Sequence, residues 1–103
     1  MSLDLEQLRA LFVQKHYLLT AHASQRAAAR GILSDEIEAA IANGAVIEDY
    51  PNDKYGPSCL ILGSTKVGRF LHVQVSYPPT VKVITVYEPS LQEWESDLKT
   101  RKS

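Results

Sequence analysis

The stretch that decides the fold is Arg69–Tyr87, RFLHVQVSYPPTVKVITVY. On either side of a proline pair, apolar residues recur at every second position, a period that predicts β-strands. Pro78 and Pro79 cannot adopt the positive φ angles that a two-residue hairpin turn needs, so we expect a wider loop over residues 77–80. The stretch therefore predicts the central hairpin of an antiparallel sheet.

The alternation assigns the side chains of the first strand to two faces. One face is apolar and predicts the core side: Leu71, Val73, Val75 and Tyr77. The other face is half polar: Phe70, His72, Gln74 and Ser76. An even-numbered loop pairs residues on the core side (Val73 with Ile84, Leu71 with Val86) and on the far side (Gln74 with Val83, His72 with Thr85, Phe70 with Tyr87). This register leaves a polar face on which a functional site can lie.

The rest of the chain predicts helices before the hairpin and one after it. Apolar residues at helical spacing, a Thr20 cap and a terminating Gly31 predict helices at about 4–14, 20–30 and 34–43. Strands are expected at about 45–50, 58–62, 69–77 and 80–87, and a capping-box pattern from Ser90 predicts a helix at about 91–99 that docks through Trp94. The predicted fold class is α+β, with N-terminal helices packed on one face of a four-stranded antiparallel meander sheet and a short C-terminal helix. The length suits a single domain over residues 1–103.

Composition narrows the classes of function. The net charge is −1, so no overall positive field attracts nucleic acid. The single cysteine cannot form an internal disulfide, no apolar run is long enough to cross a membrane, and the acidic start MSLDLEQL differs from a secretory signal. Three scattered histidines form no metal motif, and no glycine-rich phosphate loop is present. We therefore expect a cytoplasmic protein with no membrane association, no metal and no cofactor.

The remaining reactive side chains are proton-transfer and cationic groups. At about 100° per residue, His22, Arg26 and Arg30 fall on one face of the predicted second helix. The predicted sheet carries four more: Arg69, His72, Thr85 and Tyr87. Metal-free cleavage of RNA needs a base for the 2′-hydroxyl proton, an acid for the leaving 5′-oxygen and a cation for the phosphate. Histidine, tyrosine and arginine side chains can fill these roles.

Structural interpretations of the same residues stay open. His72 opposite Thr85 is also typical of a structural cross-strand pair. The helix stripe is equally typical of a solvated face or of ion pairs with nearby carboxylates. Three tyrosines favour either stacking on bases or simple packing: Tyr50, Tyr55 and Tyr87.

Several motifs together resemble a known family. They are HASQRAAARGI (residues 22–32), SDEIEAAIANG (34–44), IEDYPND (47–53), GRFLHV (68–73) and ITVYEP (84–89), followed by Trp94. This order is similar to the bacterial domain-of-unknown-function family 4258. Members of that family are often encoded beside a zinc-finger antitoxin-like protein, and the family resembles RelE-like toxin ribonucleases. The resemblance implies helices before an antiparallel sheet, RNA as substrate and a zinc-finger antitoxin-like protein as partner.

The resemblance also implies site residues. Its motif positions fall on His22, Arg26, Arg30, Tyr50, Arg69, His72, Thr85 and Tyr87. We expect catalytic groups at His22, Arg69, His72 and Tyr87, and substrate-binding groups at Arg26, Arg30, Tyr50 and Thr85. In this hypothesis one histidine is the acid or base, Arg26 and Arg69 bind phosphate, and Tyr87 stacks on a base or donates a proton. The mild acidity of the chain departs from the basic balance typical of RelE-like toxins.

Two classes of function follow from these patterns. The first is a toxin component of a toxin–antitoxin pair, acting as a metal-free endoribonuclease by general acid–base catalysis, with His22, Arg69 and His72 gathered in one cleft. The second is a non-catalytic module that binds a protein through the open sheet face or an edge strand, with apolar exposure around Phe70, Val83 and Tyr87. A purely structural domain would instead have a fully covered sheet.

Overall fold

The computed structural model describes residues 3–54 and 56–103, which form three helices and five strands. In chain order these are α1 (Leu5–Val13), β1 (Leu18–Leu19), α2 (Ala21–Arg30), α3 (Ser34–Asn43), β2 (Ala45–Tyr50), β3 (Ser58–Ser64), β4 (Phe70–Ser76) and β5 (Lys82–Tyr87). Within the described residues, no helix is both long and apolar enough to span a bilayer. The fold is α+β.

The strands form one mixed sheet in the order β1-β5-β4-β3-β2, so the predicted four-stranded antiparallel meander is wrong. The four longer strands are antiparallel to their neighbours, but Leu18 and Leu19 pair in parallel with Lys82 and Val83. Two residues are too few to show a strand period, so the pattern did not distinguish this strand from a helix end or a short link. The added strand extends the sheet beyond β5 and leads directly into α2.

The helices pack on one face of the sheet, where the core lies. The alternation of β4 is confirmed on this face, since Leu71, Val73 and Val75 are fully buried in the core cluster. Gly63 in β3 allows α3 to approach closely, because a Cβ atom at that position would lie 1.9 Å from the carbonyl oxygen of Ala40. This close contact fixes the helix layer against the strands.

A β-bulge in β5 changes the register that simple alternation predicts. Gln74 pairs with Thr85 and Val75 pairs with Val83, which leaves Ile84 as an extra residue. The predicted pairs of Gln74 with Val83, His72 with Thr85, and Phe70 with Tyr87 are therefore wrong, as are the core-side pairs of Val73 with Ile84 and Leu71 with Val86. The bulge lets both Val83 and Val86 enter the core, although they are three residues apart.

The segment after β5 forms turns, and the predicted helix at 91–99 is wrong. Ser90 does start a single turn, in which its carbonyl oxygen accepts a hydrogen bond from Trp94 N. Asp97 then accepts hydrogen bonds from the backbone N–H groups of Lys99 and Thr100, and Leu98 has a left-handed φ of 61°. Such local side-chain bonds compete with helical ones, so the chain folds back and Trp94 still docks on the sheet.

Candidate functional site

Helix α2 lies along β5 and is held there by side chains at both of its ends. Thr20 caps the helix by accepting a hydrogen bond from Ala23 N at 3.0 Å, and its hydroxyl donates to the carbonyl oxygen of Ile84 at 3.1 Å. At the other end, Arg30 Nη1 donates to the carbonyl oxygen of Val86 at 2.9 Å. The buried Ala23 and Ala27 allow a close approach to the core. These contacts fix one face of α2 beside the C-terminal half of β5.

The residues on that helix face form a basic stripe: His22, Arg26 and Arg30. The exposed His22 reaches β5, with Nε2 3.3 Å from Thr85 Oγ1. Arg26 follows one turn later on the same face, between the two residues that contact β5. Its guanidinium is exposed and has no hydrogen-bonding partner in the described part of the chain. The basic stripe therefore combines a proton-transfer group with a free cation.

The next reactive group on β5 is Tyr87. Thr85 and Tyr87 pair with Gln74 and His72, which lie on the far face of β4. The two β5 side chains thus share that face, with Cα atoms roughly 6.6 Å apart for two residues of strand. Tyr87 and His72 are in contact, since the phenolic oxygen lies 3.1 Å from His72 Nδ1. Two pairs of polar groups in contact, His22 with Thr85 and Tyr87 with His72, therefore follow one another in a row along β5.

The hydrogen bonds of His72 fix its tautomer. Nε2 lies 2.7 Å from the carbonyl oxygen of Leu98, which can only accept, so Nε2 carries the proton. In the neutral ring, Nδ1 is then bare and accepts the hydroxyl proton of Tyr87. The phenol therefore points its proton at His72 and keeps its oxygen lone pairs for another donor.

The C-terminal segment covers His72. Trp94, which is 2% exposed, packs edge-on against the imidazole with ring centroids 4.4 Å apart. Arg101 lies over the Trp94 ring at 4.6 Å and forms a bidentate ion pair with Glu48 at 2.9 and 3.0 Å. Tyr50 completes the group by donating a hydrogen bond to Glu48. We call these residues the covered cluster: Glu48, Tyr50, His72, Tyr87, Trp94 and Arg101.

Burial shifts the acid–base properties of the covered cluster. It lowers the pKa of His72, an effect that the hydrogen bond to Leu98 and the charge of Glu48 partly offset. Burial likewise raises the pKa values of Tyr50 and Tyr87. The hydrogen bonds from Arg101 lower the pKa of Glu48. His72 is thus held neutral and Glu48 ionised near neutral pH.

Arg69 lies apart from this row of groups. Its guanidinium donates to the carbonyl oxygens of Arg30 at 2.9 Å and Gly31 at 3.2 Å, where α2 ends. It also pairs with Glu88 at 2.7 Å and with Glu36 at 3.6 Å. These contacts occupy the whole fork, so Arg69 is placed to join α2 to α3 and the end of β5. None of these contacts is with His22 or His72, so no direct contact in the described residues joins Arg69 to either histidine.

The structure places the other expected site residues in two settings. Arg26, Arg30 and Thr85 lie at the α2–β5 contact, whereas Tyr50 belongs to the covered cluster. Tyr55 lies outside the described residues. The sequence interpretation missed Arg101 and the Leu98 carbonyl, and it assigned Glu48 no part in a site. A bidentate partner 53 residues away has no local signal, although an arginine spaced seven residues from a tryptophan is compatible with packing on it.

No group of three or more histidine, cysteine or carboxylate side chains with a metal-binding arrangement occurs in the described ranges.

A family model, Domain of unknown function (DUF4258), matches residues 19–88. The chain belongs to this family. The matched residues run from β1 to Glu88, so they include both the basic stripe and β5 and end before Trp94. No curated protein matches the chain, and no solved structure does.

Proposed function

We propose that the chain is a RelE-like toxin component of a toxin–antitoxin pair that cleaves RNA without a metal. The observation that supports this most strongly is the exposed His22 imidazole at the Thr85 hydroxyl, with Arg26 beside it and Tyr87 next along the same face of β5. Proton-transfer groups next to a free cation on an accessible edge suit a reaction at a phosphodiester. The relation to RelE-like toxins is carried by the sequence motifs.

The reaction needs two proton transfers, and the row of groups provides a route for each. The Tyr87 oxygen accepts the 2′-hydroxyl proton as its own proton passes to His72 Nδ1. The 2′-oxygen attacks phosphorus, the bond from phosphorus to the 5′-oxygen breaks, and protonated His22 gives its proton to that 5′-oxygen. The products are a 2′,3′-cyclic phosphate and a 5′-hydroxyl end. Arg26 and the free nitrogens of Arg30 stabilise the charge that develops on the phosphate.

In this scheme the C-terminal segment orients the base. The Leu98 carbonyl keeps the proton of His72 on Nε2, so that Nδ1 faces Tyr87. Burial and the charge of Arg101 disfavour the protonated ring, and the hydrogen bond to Leu98 and the charge of Glu48 partly offset them. His72 is therefore a positioning residue and proton acceptor behind Tyr87, since the ring itself is fully buried.

Cleavage of single-stranded RNA in the presence of a chelator tests the proposal. His22→Gln should lower the cleavage rate by roughly 10²- to 10⁴-fold, because it removes the group that protonates the leaving oxygen. His16→Gln is the matched control, since it changes another exposed histidine in the link between α1 and β1 and should keep the wild-type rate. Expression of the wild type, but not of His22→Gln, should arrest growth.

Two outcomes would refute this function. One is a wild-type protein that leaves RNA intact and does not arrest growth. The other is equal cleavage by His22→Gln and His16→Gln, with both variants folded as judged by circular dichroism. A product with a 3′-hydroxyl end would also contradict attack by the 2′-oxygen.

A second candidate function, binding of a protein partner, is favoured by one apolar groove. Phe70 and Leu91 are 51% and 60% exposed and line the same depression of about 420 Å³ between β4 and the C-terminal segment. The expected exposure of Val83 is wrong, because that side chain is fully buried, and Tyr87 is half-buried. A Phe70→Ser variant that loses a co-expressed zinc-finger partner while still cleaving RNA would support both candidates.

A further inference from the structure

A cavity of about 340 Å³ lies beside the basic stripe, and of its wall residues only His22 takes part in the reaction described above. Its walls come from the start of α2, the loop after β2, the end of β4 and the first half of β5. They are formed by Thr20, His22, Asp53, Ser76, Lys82 and Ile84. The volume is at the lower end of the range for small-molecule sites, which is about 300–1,000 Å³. His22 connects this cavity to the proposed site of phosphate cleavage.

The polar groups of the cavity differ in whether they are already used. Ser76 Oγ donates to the carbonyl oxygen of Thr80 and accepts from Lys82 N, while Thr20 Oγ1 is shared between Ala23 N and Ile84 O. By contrast, within residues 3–54 and 56–103 no group forms a hydrogen bond or ion pair with the Asp53 carboxylate or the Lys82 ammonium group. One acceptor-only group and one donor-only group are therefore left for a ligand.

The Asp53 carboxylate restricts which base a nucleotide ligand can carry. Guanine presents two adjacent donors, N1–H and the 2-amino group, to a carboxylate as a bidentate pair. Adenine and cytosine place a bare ring nitrogen next to their single amino group, and uracil flanks its N–H with two carbonyl oxygens. In these three bases an acceptor atom would face the carboxylate oxygens, and two acceptors cannot form a hydrogen bond with each other.

The remaining walls fit the rest of such a ligand. Ile84 offers an apolar surface for one face of a base. Lys82 can pair with a phosphate as a point charge. His22 borders the cavity and also touches Thr85, so a nucleotide held here brings its phosphate towards the proposed reacting groups.

We infer that this cavity is a guanine-binding subsite, in which Asp53 recognises the base and Lys82 a phosphate. The inference rests on the proposed function in taking the guanine to be part of the RNA substrate. A free guanine nucleotide carries the same base, and separate arms of the test distinguish the two sources.

Binding to the whole chain is measured by titration with the 3′-monophosphates of guanosine, adenosine, cytidine and uridine, none of which requires cleavage. The guanosine nucleotide should bind about 10- to 100-fold more tightly than the other three. Asp53→Asn should abolish this preference, while Asp35→Asn, an exposed aspartate at the start of α3, should leave it intact. Lys82→Gln should weaken all four nucleotides about equally.

The source of the guanine is tested with oligonucleotides that contain a single guanosine or none. Cleavage at the guanosine that Asp53→Asn abolishes assigns the subsite to RNA, whereas guanosine-selective binding with no cleavage assigns it to a free nucleotide and refutes the proposed function alone. Equal binding of the four nucleotides, no binding of any, or the same behaviour of Asp53→Asn and Asp35→Asn overturns the subsite. RNA cleavage without base preference would then leave the proposed function standing.

Discussion

The two histidines at the ends of the polar row have opposite surroundings. His22 is exposed, and within the described residues its one hydrogen-bonding contact is with Thr85 Oγ1, 3.3 Å from Nε2. His72 is 0% exposed, has a partner at each ring nitrogen and lies against the Trp94 ring. The difference teaches that the same side chain can be open to solvent at one position, as in His22, and enclosed by the protein's own groups at another, as in His72.

The largest expected effect concerns the cover over His72. Trp94→Ala removes a nearly fully buried aromatic side chain and should lower the free energy of unfolding by about 3–5 kcal/mol, measured by urea denaturation. Leu91→Ala is the control, because that side chain is 60% exposed and its loss should change the free energy by less than about 0.5 kcal/mol. Equal effects of the two substitutions would show that the covered cluster is open in solution.

A smaller effect is expected in the pH dependence of stability. Because burial lowers the pKa of His72, the unfolded chain binds a proton below about pH 6.5 that the folded protein does not. The free energy of unfolding should therefore be constant in this respect above about pH 7 and fall as the pH drops from about 6.5 towards the folded pKa. Glu48, with its pKa lowered by Arg101, adds a separate loss only below its ordinary value of 4.5.

His72→Gln tests this assignment by urea denaturation at several pH values between about 7 and 5. The variant should lose the His72 contribution to the slope, because glutamine does not titrate in this range. An unchanged slope in His72→Gln would mean that the ring is as accessible as His22, and the contrast between the two histidines would fail.

The smallest effect on stability is expected at Arg69. This prediction distinguishes the residues of the basic stripe from a residue that only holds the end of α2 in place. Arg69→Gln removes donors to the end of α2 and should lower the Tm less than Trp94→Ala does, with RNA cleavage unchanged. Arg9→Gln is a matched variant, since Arg9 bonds the carbonyl oxygens of Ile41 and Gly44 where α3 ends. Loss of cleavage with an unchanged Tm in Arg69→Gln would show instead that Arg69 binds the phosphate of the RNA.

The sequence was most informative where one period decided the structure. Helix α3 lies at the predicted bounds, 34–43, and the predicted capping of α2 by Thr20 and its end at Gly31 are both observed. The inward set of β4 is likewise buried. In α2 the cap and the terminating residue agree, and in β4 the period of the apolar residues agrees with burial, so local chemistry and tertiary packing select the same conformation.

The misses occurred where long-range contacts decided the structure. The parallel pairing of β1 depends on residues 64 positions further along the chain, and the bulge at Ile84 is selected by burial of two valines that strict alternation puts on opposite faces. The sequence predicted four residues of this row as site residues: His22, Thr85, Tyr87 and His72. It did not predict that they follow one another along β5. The sequence did not predict how the C-terminal segment covers His72 for the same reason, because Arg101 pairs with Glu48 of β2, which is distant in the chain.

The order of the strands has a consequence for synthesis. Helix α2 precedes in the chain the strand against which it lies, β5, and β5 is the last strand of the sheet in chain order. The contact of His22 with Thr85 can therefore form only after β5 has been synthesised, and the hydrogen bond that fixes the tautomer of His72 forms only after Leu98 has been added. The order of the chain therefore delays these contacts until all five strands of the sheet have been made.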